Sequence, residues 1–460
     1  MYLKGCVVIL ALLIAAQFVF AGGIVTNTNQ SAAFVRNLSR NASTDVDAVY
    51  FNPAGMVDLE DGWYFFFFFQ TIFQEKTVIS KFPYLNNEEF VGEVNVPTFP
   101  SGFVVFKRNK LAVGFGVGPN GGGGTADFAN GLPSFEADIA KLPLILSNLP
   151  EAMGGPVPTT AYDASIAFKG SSIFWGFQLN AAYDVHPMIS VSAGARYVYA
   201  VNTYEGSLGG IKINPTIPGV NPQGKLVSAF DLFNAVGMSQ YAAMVADKEV
   251  DVTQTGTGVT PIVGVNVRPM DGLNVGIRYE MNTALELEND TKEDGTGMYP
   301  DGETVNNDIP ALLGIGVGYE ITPSLKASVS GYYYFDQSAD WGGREDLVDN
   351  NYMEVSAGAE YMLTDGVCLS LGYLRSQTGV SPEYQTGISH SLSSNTVGLG
   401  GRLALTECLS MDLGFLYTMY EDGEKEVDYY LNEQTPLGSY KKIFQRSNVD
   451  FAIGLTYVLK

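Results

Sequence analysis

The sequence predicts an all-β fold: an antiparallel transmembrane β-barrel of fourteen strands, with an N-terminal hatch, or plug, inside the lumen. Three observations predict it. Apolar and polar residues alternate with period two in many segments, no apolar run after the first segment is long enough for a membrane helix, and short connections alternate with long ones. The mean hydropathy of +0.07 is too high for a disordered chain and too low for a bundle of membrane helices.

The composition excludes several classes of function. The chain has 460 residues and a net charge of -23, so it lacks the basic surface that a nucleic-acid-binding protein needs. Two histidines and three cysteines leave little material for a metal site or a disulfide scaffold. We therefore expect no metal, no cofactor and no nucleic-acid partner.

Residues 1–21 read as an export signal. Lys4 supplies the positive start, Cys6–Ala16 is the apolar core, and Val19–Ala21 is a small-residue cleavage site. The alternative is a membrane anchor, but Gln17 ends the apolar run before it reaches the roughly 20 residues that span a bilayer. The mature protein is thus expected outside the cytoplasm.

Residues 62–460 are the predicted barrel, and their alternation defines the two faces of its wall. Leu273, Val275, Ile277, Tyr279 and Met281 lie on one face, and the residues between them lie on the other. Three more segments repeat the pattern: 324–336, 409–420 and 448–459. Soluble sheets also alternate. Here, however, aromatic residues concentrate near strand ends on the apolar face, and the polar face is rich in Gly and Ser, as in membrane barrels.

The connections follow the pattern of an outer-membrane barrel, with short periplasmic turns and long external loops. The predicted short turns lie at 107–110, 185–187, 268–272, 322–323, 364–366 and 406–407. The predicted long connections lie at about 75–94, 119–165, 206–256, 287–308, 338–350, 379–393 and 422–447. Gly454, Tyr457 and Leu459 resemble the C-terminal signal for the barrel-assembly machinery, although the chain ends in Lys460 rather than in an aromatic residue.

Residues 22–61 precede the first strand and do not alternate. Their place on the periplasmic side would let them fold back into the lumen as a plug. The alternative is a disordered periplasmic tail, which the apolar residues of the segment disfavour. These apolar residues are Phe34, Val35, Leu38, Val49, Tyr50, Phe51 and Met56.

Within this segment, Ser39–Met56 resembles the N-terminal hatch of the FadL-type outer-membrane transporters of long-chain fatty acids. Asn52, Pro53 and Ala54 match the triplet that closes the hatch in that family. The resemblance implies a fourteen-stranded barrel in the outer membrane of a Gram-negative bacterium. It also implies passive uptake of fatty acids or similar hydrophobic molecules, movement of the hatch, and release sideways through the barrel wall. No catalysis is implied, and we expect a monomer.

In that family a kinked third strand opens a hole in the wall. The third predicted strand here is Leu111–Pro119, and its Gly114, Gly116, Gly118 and Pro119 would permit a kink, because Gly and Pro weaken the ladder. The alternative is an ordinary glycine-rich strand that packs closely against the plug.

Two long loops carry apolar residues at helical spacing where a solvated loop should be polar. They are 135–149 and 226–245, and they indicate a docking surface for an apolar ligand, unless the two helices simply pack on each other. With two residues of the plug, the ligand-binding candidates are Phe34, Leu38, Ile139, Leu142, Ile145, Leu146, Leu149, Phe230, Phe233, Met238 and Met244.

Charged residues on the inward face are expected to hold the plug by ion pairs. They are Arg196, Arg278, Arg402, Glu280, Glu354, Glu360, Asp412 and Asp450. One of the three arginines is the candidate partner of a carboxylate head group. The sequence does not assign which one.

Other signals in the sequence are weaker. Gly121–Gly124 lacks the Lys and Ser/Thr of a phosphate loop and is interpreted as a flexible loop. The acidic stretch 286–308 is interpreted as a solvated loop, although it would suit divalent cations beside lipopolysaccharide. Two alternatives to the transporter remain: a water-filled porin for polar solutes, and a lipid hydrolase that uses His390.

Overall fold

The computed structural model describes residues 31–96, 100–149, 151, 154–432 and 435–460. The predicted export signal, residues 1–21, and the first residues of the predicted plug, 22–30, lie outside this part of the chain. Most of the described residues in the barrel region, 62–460, lie in β-strands.

Fourteen antiparallel strands form the barrel wall, each paired with its neighbours along the chain. Here they are numbered in chain order: β1 Gly62–Ser80, β2 Ser101–Arg108, β3 Leu111–Phe128, β4 Tyr162–His186, β5 Ile189–Ile213, β6 Lys248–Met270, β7 Leu273–Glu280, β8 Leu312–Thr322, β9 Leu325–Tyr334, β10 Met353–Thr364, β11 Val367–Gln377, β12 Ser394–Ala404, β13 Leu409–Tyr420 and β14 Thr435–Leu459.

The first and last strands close the barrel. β1 pairs with β14 along its length, from Trp63 opposite Leu459 to Ser80 opposite Lys442. The closed, antiparallel, fourteen-stranded fold predicted from the sequence is therefore confirmed. Closure removes the free edges that an open sheet would expose.

Side chains along each strand alternate between the lumen and the outside. In β7, Asn274, Gly276, Arg278 and Glu280 are buried inside, whereas Ile277 and Tyr279 are exposed outside. The exposed apolar side chains recur on strand after strand and form an outer surface that favours lipid over water. Among the described residues, no helix has both the length and the apolar character required to cross a bilayer.

Among the described residues, six short α-helices are present in addition to the strands of the wall. They are α1 Ala32–Arg36, α2 Ala48–Phe51, α3 Pro133–Ala140, α4 Leu142–Ser147, α5 Ala229–Ala235 and α6 Ser239–Met244. Four 3-10 helices accompany them, at Pro53–Asp58, Asp336–Ser338, Arg344–Leu347 and Pro382–Tyr384.

Several predicted loops are strands instead. β1, β3, β4, β5, β6 and β14 extend into them. Among the described residues, five further strands occur at Glu89–Val96, Val227–Ser228, Glu286–Asp294, Thr304–Asn306 and Gly423–Asn432. The interpretation of Gly121–Gly124 as a flexible loop was wrong, because these residues continue β3. Strands that extend beyond the membrane-spanning region need no apolar, lipid-facing side. The alternation of apolar and polar residues that marks a membrane strand is therefore absent from them.

Candidate functional site

The N-terminal segment, residues 31–61, packs inside the barrel. Its apolar side chains form one buried cluster with inward residues of the wall. Phe34 stacks on Phe51 with 5.4 Å between ring centroids, and Leu38 lies against Gly372 and Gly398, where a larger wall residue would collide with the segment. These two predicted ligand contacts belong to this packing, and neither lines a cavity described below.

The Asn-Pro-Ala triplet ties the segment to the wall. Asn52 donates from Nδ2 to Asn266 Oδ1 at 2.8 Å, and Ser190 Oγ donates to the carbonyl oxygen of Ala54 at 2.8 Å. Pro53 opens a 3-10 helix, where its missing N–H costs nothing. The triplet therefore anchors the segment just before β1 begins.

Ion pairs fix the other side of the segment. Arg36 lies 2.6 Å from Glu360 and 2.7 Å from Asp412. Arg402 bridges Asp45, at 2.5 Å, and Asp412, at 3.0 Å. Burial raises the pKa of the Asp45 carboxyl, but the positive charges of Arg402 and Arg40 and the hydrogen bonds to the carboxylate together lower it below its usual value. These contacts agree with the anchoring role expected for Arg402, Glu360 and Asp412. The same role was expected for Glu354 and Asp450, but neither has an ion pair among the described residues.

Arg196 and Arg278 also have hydrogen-bonding and ion-pair partners within the protein. Arg196 donates to both oxygens of Glu280, at 2.6 and 3.0 Å, and to Gln178. Arg278 lies 3.2 Å from Glu280 and donates to the carbonyl oxygen of Tyr50. All three predicted head-group arginines thus have acidic partners within the protein, and their contacts give the head-group role no support.

An external cavity of about 390 Å³ lies at the outer end of the barrel. It is lined by α3, α4, α5 and α6, by β4, β5 and β6, by residues 296–299, and by the hairpin of Gly423–Asn432 with β14. Its apolar lining includes Phe135, Ile139, Leu142, Ile145, Ile166, Phe168, Ile211, Phe233, Tyr241, Met244, Met298, Tyr299 and Tyr440.

Five of the predicted ligand residues line this external cavity: Ile139, Leu142, Ile145, Phe233 and Met244. Three others pack in the apolar cluster behind it: Leu146, Leu149 and Met238. Phe230 is exposed on α5 and lines no part of it. The helices therefore both pack together and leave a cavity between them and the wall.

A second cavity, here called the inner chamber, has a volume of about 310 Å³ and is lined mainly by inward-facing residues of the barrel strands. Its lining is mixed. Apolar groups include Phe128, Phe168, Phe174 and Leu392, whereas polar groups come from Gln70, Gln74, Ser376, Thr396, Thr418 and Asn448.

Two cations face this chamber from adjacent strands. Lys76 on β1 lies directly opposite Arg446 on β14. Among the described residues, no carboxylate lies within 4.0 Å of either side chain. Like charges directly opposite each other destabilise a sheet, so an anion bound here would relieve a real repulsion. Sequence reasoning missed both residues, because it placed them inside the predicted loops 75–94 and 422–447.

His390 lines the same chamber. Its ring packs 5.6 Å from the ring of Phe444. Burial, together with the positive charges of Lys76 and Arg446, lowers the pKa of His390 to about 3. So weak a base is poorly suited to activate a serine nucleophile, which disfavours the hydrolase alternative.

β3 is irregular beside the chamber. Its pairing with β4 skips one residue between Pro119 and Gly121 and another between Gly122 and Gly124, which marks two β-bulges. On its other edge, the pairing with β2 ends at Val117, and pairing resumes only at Ala126 with the strand Glu89–Val96. Among the described residues, 118–125 therefore have no ladder partner on that edge.

The four predicted kink residues have different roles. A side chain at Gly114 would collide with Met56 and Val49, and one at Gly116 would lie 3.2 Å from Val49. The two glycines therefore admit the N-terminal segment, which was the alternative interpretation of this strand. Gly118 and Pro119 begin the unpaired edge. The bulges follow them, at Asn120 and in the glycine run.

Among the described residues, no group of three or more His, Cys, Asp or Glu side chains is arranged to hold a metal ion.

Comparison with known proteins gives structural neighbours only. No protein-family model and no curated protein matches the sequence. A Pseudomonas aeruginosa FadL homologue matches with a TM-score of 0.64 at 14% identity, over 95% of this chain and 99% of that one. The toluene transporter TodX of Pseudomonas putida matches with a TM-score of 0.57 at 12% identity, over 91% and 95% of the two chains.

The toluene transporter TbuX of Ralstonia pickettii matches with a TM-score of 0.54 at 15% identity, covering 90% of this chain and 94% of that one. All three neighbours are aligned over nearly their whole length. The chain therefore has the FadL-type fold that its N-terminal segment predicted.

Proposed function

We propose that the protein takes up hydrophobic small molecules passively across the outer membrane of a Gram-negative bacterium. The observation that carries the proposal is an apolar external cavity above an inner chamber that borders residues 118–125 of β3, which have no ladder partner on one edge among the described residues. Solved neighbours described as a FadL homologue and as toluene transporters support the same class of cargo.

The proposed cargo is a long-chain fatty acid or a similar amphipathic acid. Lys76 and Arg446 place two basic side chains in the inner chamber, whose lining also includes Glu354, but no described carboxylate lies within 4.0 Å of either basic group. A carboxylate head group would be attracted to this pair, while the acyl chain contacts apolar groups such as Phe128, Phe168 and Leu392. A neutral hydrocarbon would gain nothing from the two cations.

The proposed route leaves the chamber sideways. Gly122 and Gly124 line the chamber and belong to the irregular part of β3. This stretch lies further from the periplasmic turn than Gly114, which touches the N-terminal segment. A ligand at this level reaches the wall above the segment, so the proposed movement of the hatch is a small displacement and not its expulsion.

A water-filled porin is the competing function. Residues 31–61 pack inside the lumen and are held by buried ion pairs, which disfavours free passage of polar solutes. Contacts with lipopolysaccharide, recognition by the barrel-assembly machinery and a monomeric state remain predictions.

Binding and permeation separate the two functions. Purified protein should bind radiolabelled oleic acid, and liposomes that contain it should not swell in arabinose at the rates of a porin. Ile145→Lys puts a charge in the external cavity and should weaken oleic acid binding at least tenfold. Val220→Lys, at an exposed apolar position outside the cavity, is the matched control and should bind normally. Rapid swelling in arabinose without oleic acid binding would support the porin instead.

A further inference from the structure

The external cavity and the inner chamber meet at a layer of aromatic side chains. Here the aromatic layer denotes Phe128, Phe135, Phe168, Tyr204 and Tyr299, all of which belong to one apolar cluster. Phe135 and Tyr299 line the external cavity, and Phe128 and Tyr204 line the chamber. Phe168 lines both.

Four rings of this layer form a continuous series of contacts. Phe135 and Phe168 have ring centroids 5.5 Å apart. Phe168 stacks on Tyr204 at 6.5 Å, and Tyr204 stacks on Tyr299 at 5.6 Å. Phe168 is 7% exposed and Tyr204 is 2% exposed, so the layer is closed in this structure. A ligand that moves from the external cavity to the chamber has to displace it.

Two wall positions beside the Phe168 ring are glycines, whereas Phe128 on β3 lies directly opposite Phe168 on the other side. Gly206 is the cross-strand partner of Phe168 on β5, and Gly170 follows two residues later on β4, on the same face. A Cβ at Gly170 would lie 3.3 Å from the Phe168 ring, and one at Gly206 would lie 3.5 Å from it. Gly206 lines the external cavity and Gly170 lines the chamber.

Gly170 and Gly206, here called the glycine floor, therefore leave a strip of wall beside the ring without Cβ atoms. This strip runs from the external cavity to the chamber. Toward Gly170 and Gly206 the ring can change its side-chain rotamer without meeting a Cβ, whereas a ring in a fully packed core cannot. Its contacts with Phe135 and Tyr204 are aromatic and would be exchanged for contacts with an apolar ligand at little cost.

We propose that Phe168 is the gate between the external cavity and the inner chamber and sets the rate at which a ligand enters the chamber. This inference rests on the proposed function, because it requires a ligand that uses both cavities. The gate is a property of one side chain and its glycine floor, and it requires no movement of the N-terminal segment.

The test measures arrival at each cavity separately. A fluorophore is attached to the full-length mature protein at Asp428→Cys, which lines the external cavity, or at Ser389→Cys, which lines the chamber. Cys368 and Cys408, the free cysteines of the described chain, are replaced by serine in both. Stopped-flow quenching by stearic acid with a nitroxide near its chain end then reports each arrival.

Wild-type protein should show early quenching at position 428 and later quenching at position 389. Phe168→Ala should speed the later phase at least tenfold relative to the early phase, and Phe168→Leu should lie between this variant and the wild type. Gly170→Val fills the floor and should slow the later phase. Phe233→Ala, which lines only the external cavity, is the matched control and should alter only the early phase.

The outcomes separate the two proposals. Equal chamber rates in wild-type protein and in folded Phe168→Ala and Phe168→Leu variants would overturn the gate and leave the proposed function standing. A lack of quenching at both positions in wild-type protein would contradict the proposed function and the gate together. Gel mobility before and after heating verifies that each variant has formed its barrel.

Discussion

Removal of the Arg36 side chain tests how the N-terminal segment is held. Arg36 donates charged hydrogen bonds to Glu360 at 2.6 Å and to Asp412 at 2.7 Å, and its side chain is almost wholly buried. Each such bond contributes roughly 1.5–3 kcal/mol. Asp412 keeps Arg402 as a partner, so Arg36→Met should lower the free energy of local opening by about 3–4 kcal/mol, near the lower end of the loss for a broken buried pair.

Hydrogen exchange with mass spectrometry measures this opening directly. A loss of about 3–4 kcal/mol corresponds to an opening constant larger by roughly two to three powers of ten. The amides that report it include Val35, bonded to Ser31 O at 2.9 Å, and Asn52, bonded to Ala48 O at 2.9 Å. Both should exchange faster in Arg36→Met, while amides of the barrel strands should be unchanged.

Arg375→Met is the matched control. Arg375 pairs with Glu421 at 2.6 Å, but the two side chains are 35% and 55% exposed. Surface pairs of this kind contribute about 0–1 kcal/mol, so exchange in the N-terminal segment should match the wild type. The reasoning is refuted if Arg36→Met also leaves the exchange of residues 31–59 at the wild-type rate.

Three further predictions concern the route. The Oγ atoms of Ser39 and Ser330 lie 2.9 Å apart, so the double variant Ser39→Cys/Ser330→Cys should form a disulfide between the N-terminal segment and the wall. The oxidised variant should keep its oleic acid uptake. Uptake that returns only on reduction would contradict lateral exit above the segment. Lys76→Met and Arg446→Met should each weaken oleic acid binding about tenfold and leave oleyl alcohol binding unchanged, whereas an equal loss for both ligands would exclude a head-group role. Asn120 and Gly123 are the residues skipped at the two bulges of β3. Their deletion should make the pairing of β3 with β4 regular and lower oleic acid uptake at least fivefold, without affecting binding in the external cavity. Unchanged uptake would place the exit elsewhere.

The alternation of the sequence was enough to predict the barrel, because period two ties each residue to one face of the wall. Arg278 and Glu280 were expected inside and are buried there, and Ile277 was expected outside and is exposed. The same reasoning failed where neither face is apolar. Strands outside the lipid band, such as Gly423–Asn432, were predicted as loops.

The partners of inward charges were beyond sequence reasoning. Arg36 and Asp412 meet although 376 residues separate them, and this contact depends on the register of a closed barrel. Lys76 and Arg446 are opposed for the same reason. Unless the strand register is known, an arginine that forms an ion pair within the protein cannot be distinguished from one that is available to bind a ligand. Phe168 was missed similarly, since its position between two cavities follows only from the packed loops.

Uptake by intact cells tests the proposed function most directly. A Gram-negative strain that lacks its own fatty acid transporter would express the wild-type protein, Ile145→Lys or Val220→Lys, and the cells would be given radiolabelled oleic acid or radiolabelled arabinose. Wild-type and Val220→Lys cells should accumulate oleic acid well above the strain without the protein, Ile145→Lys cells should accumulate little, and arabinose entry should be the same in all four. Arabinose entry that rises with expression, with oleic acid uptake at background, would contradict transport of hydrophobic molecules through this barrel.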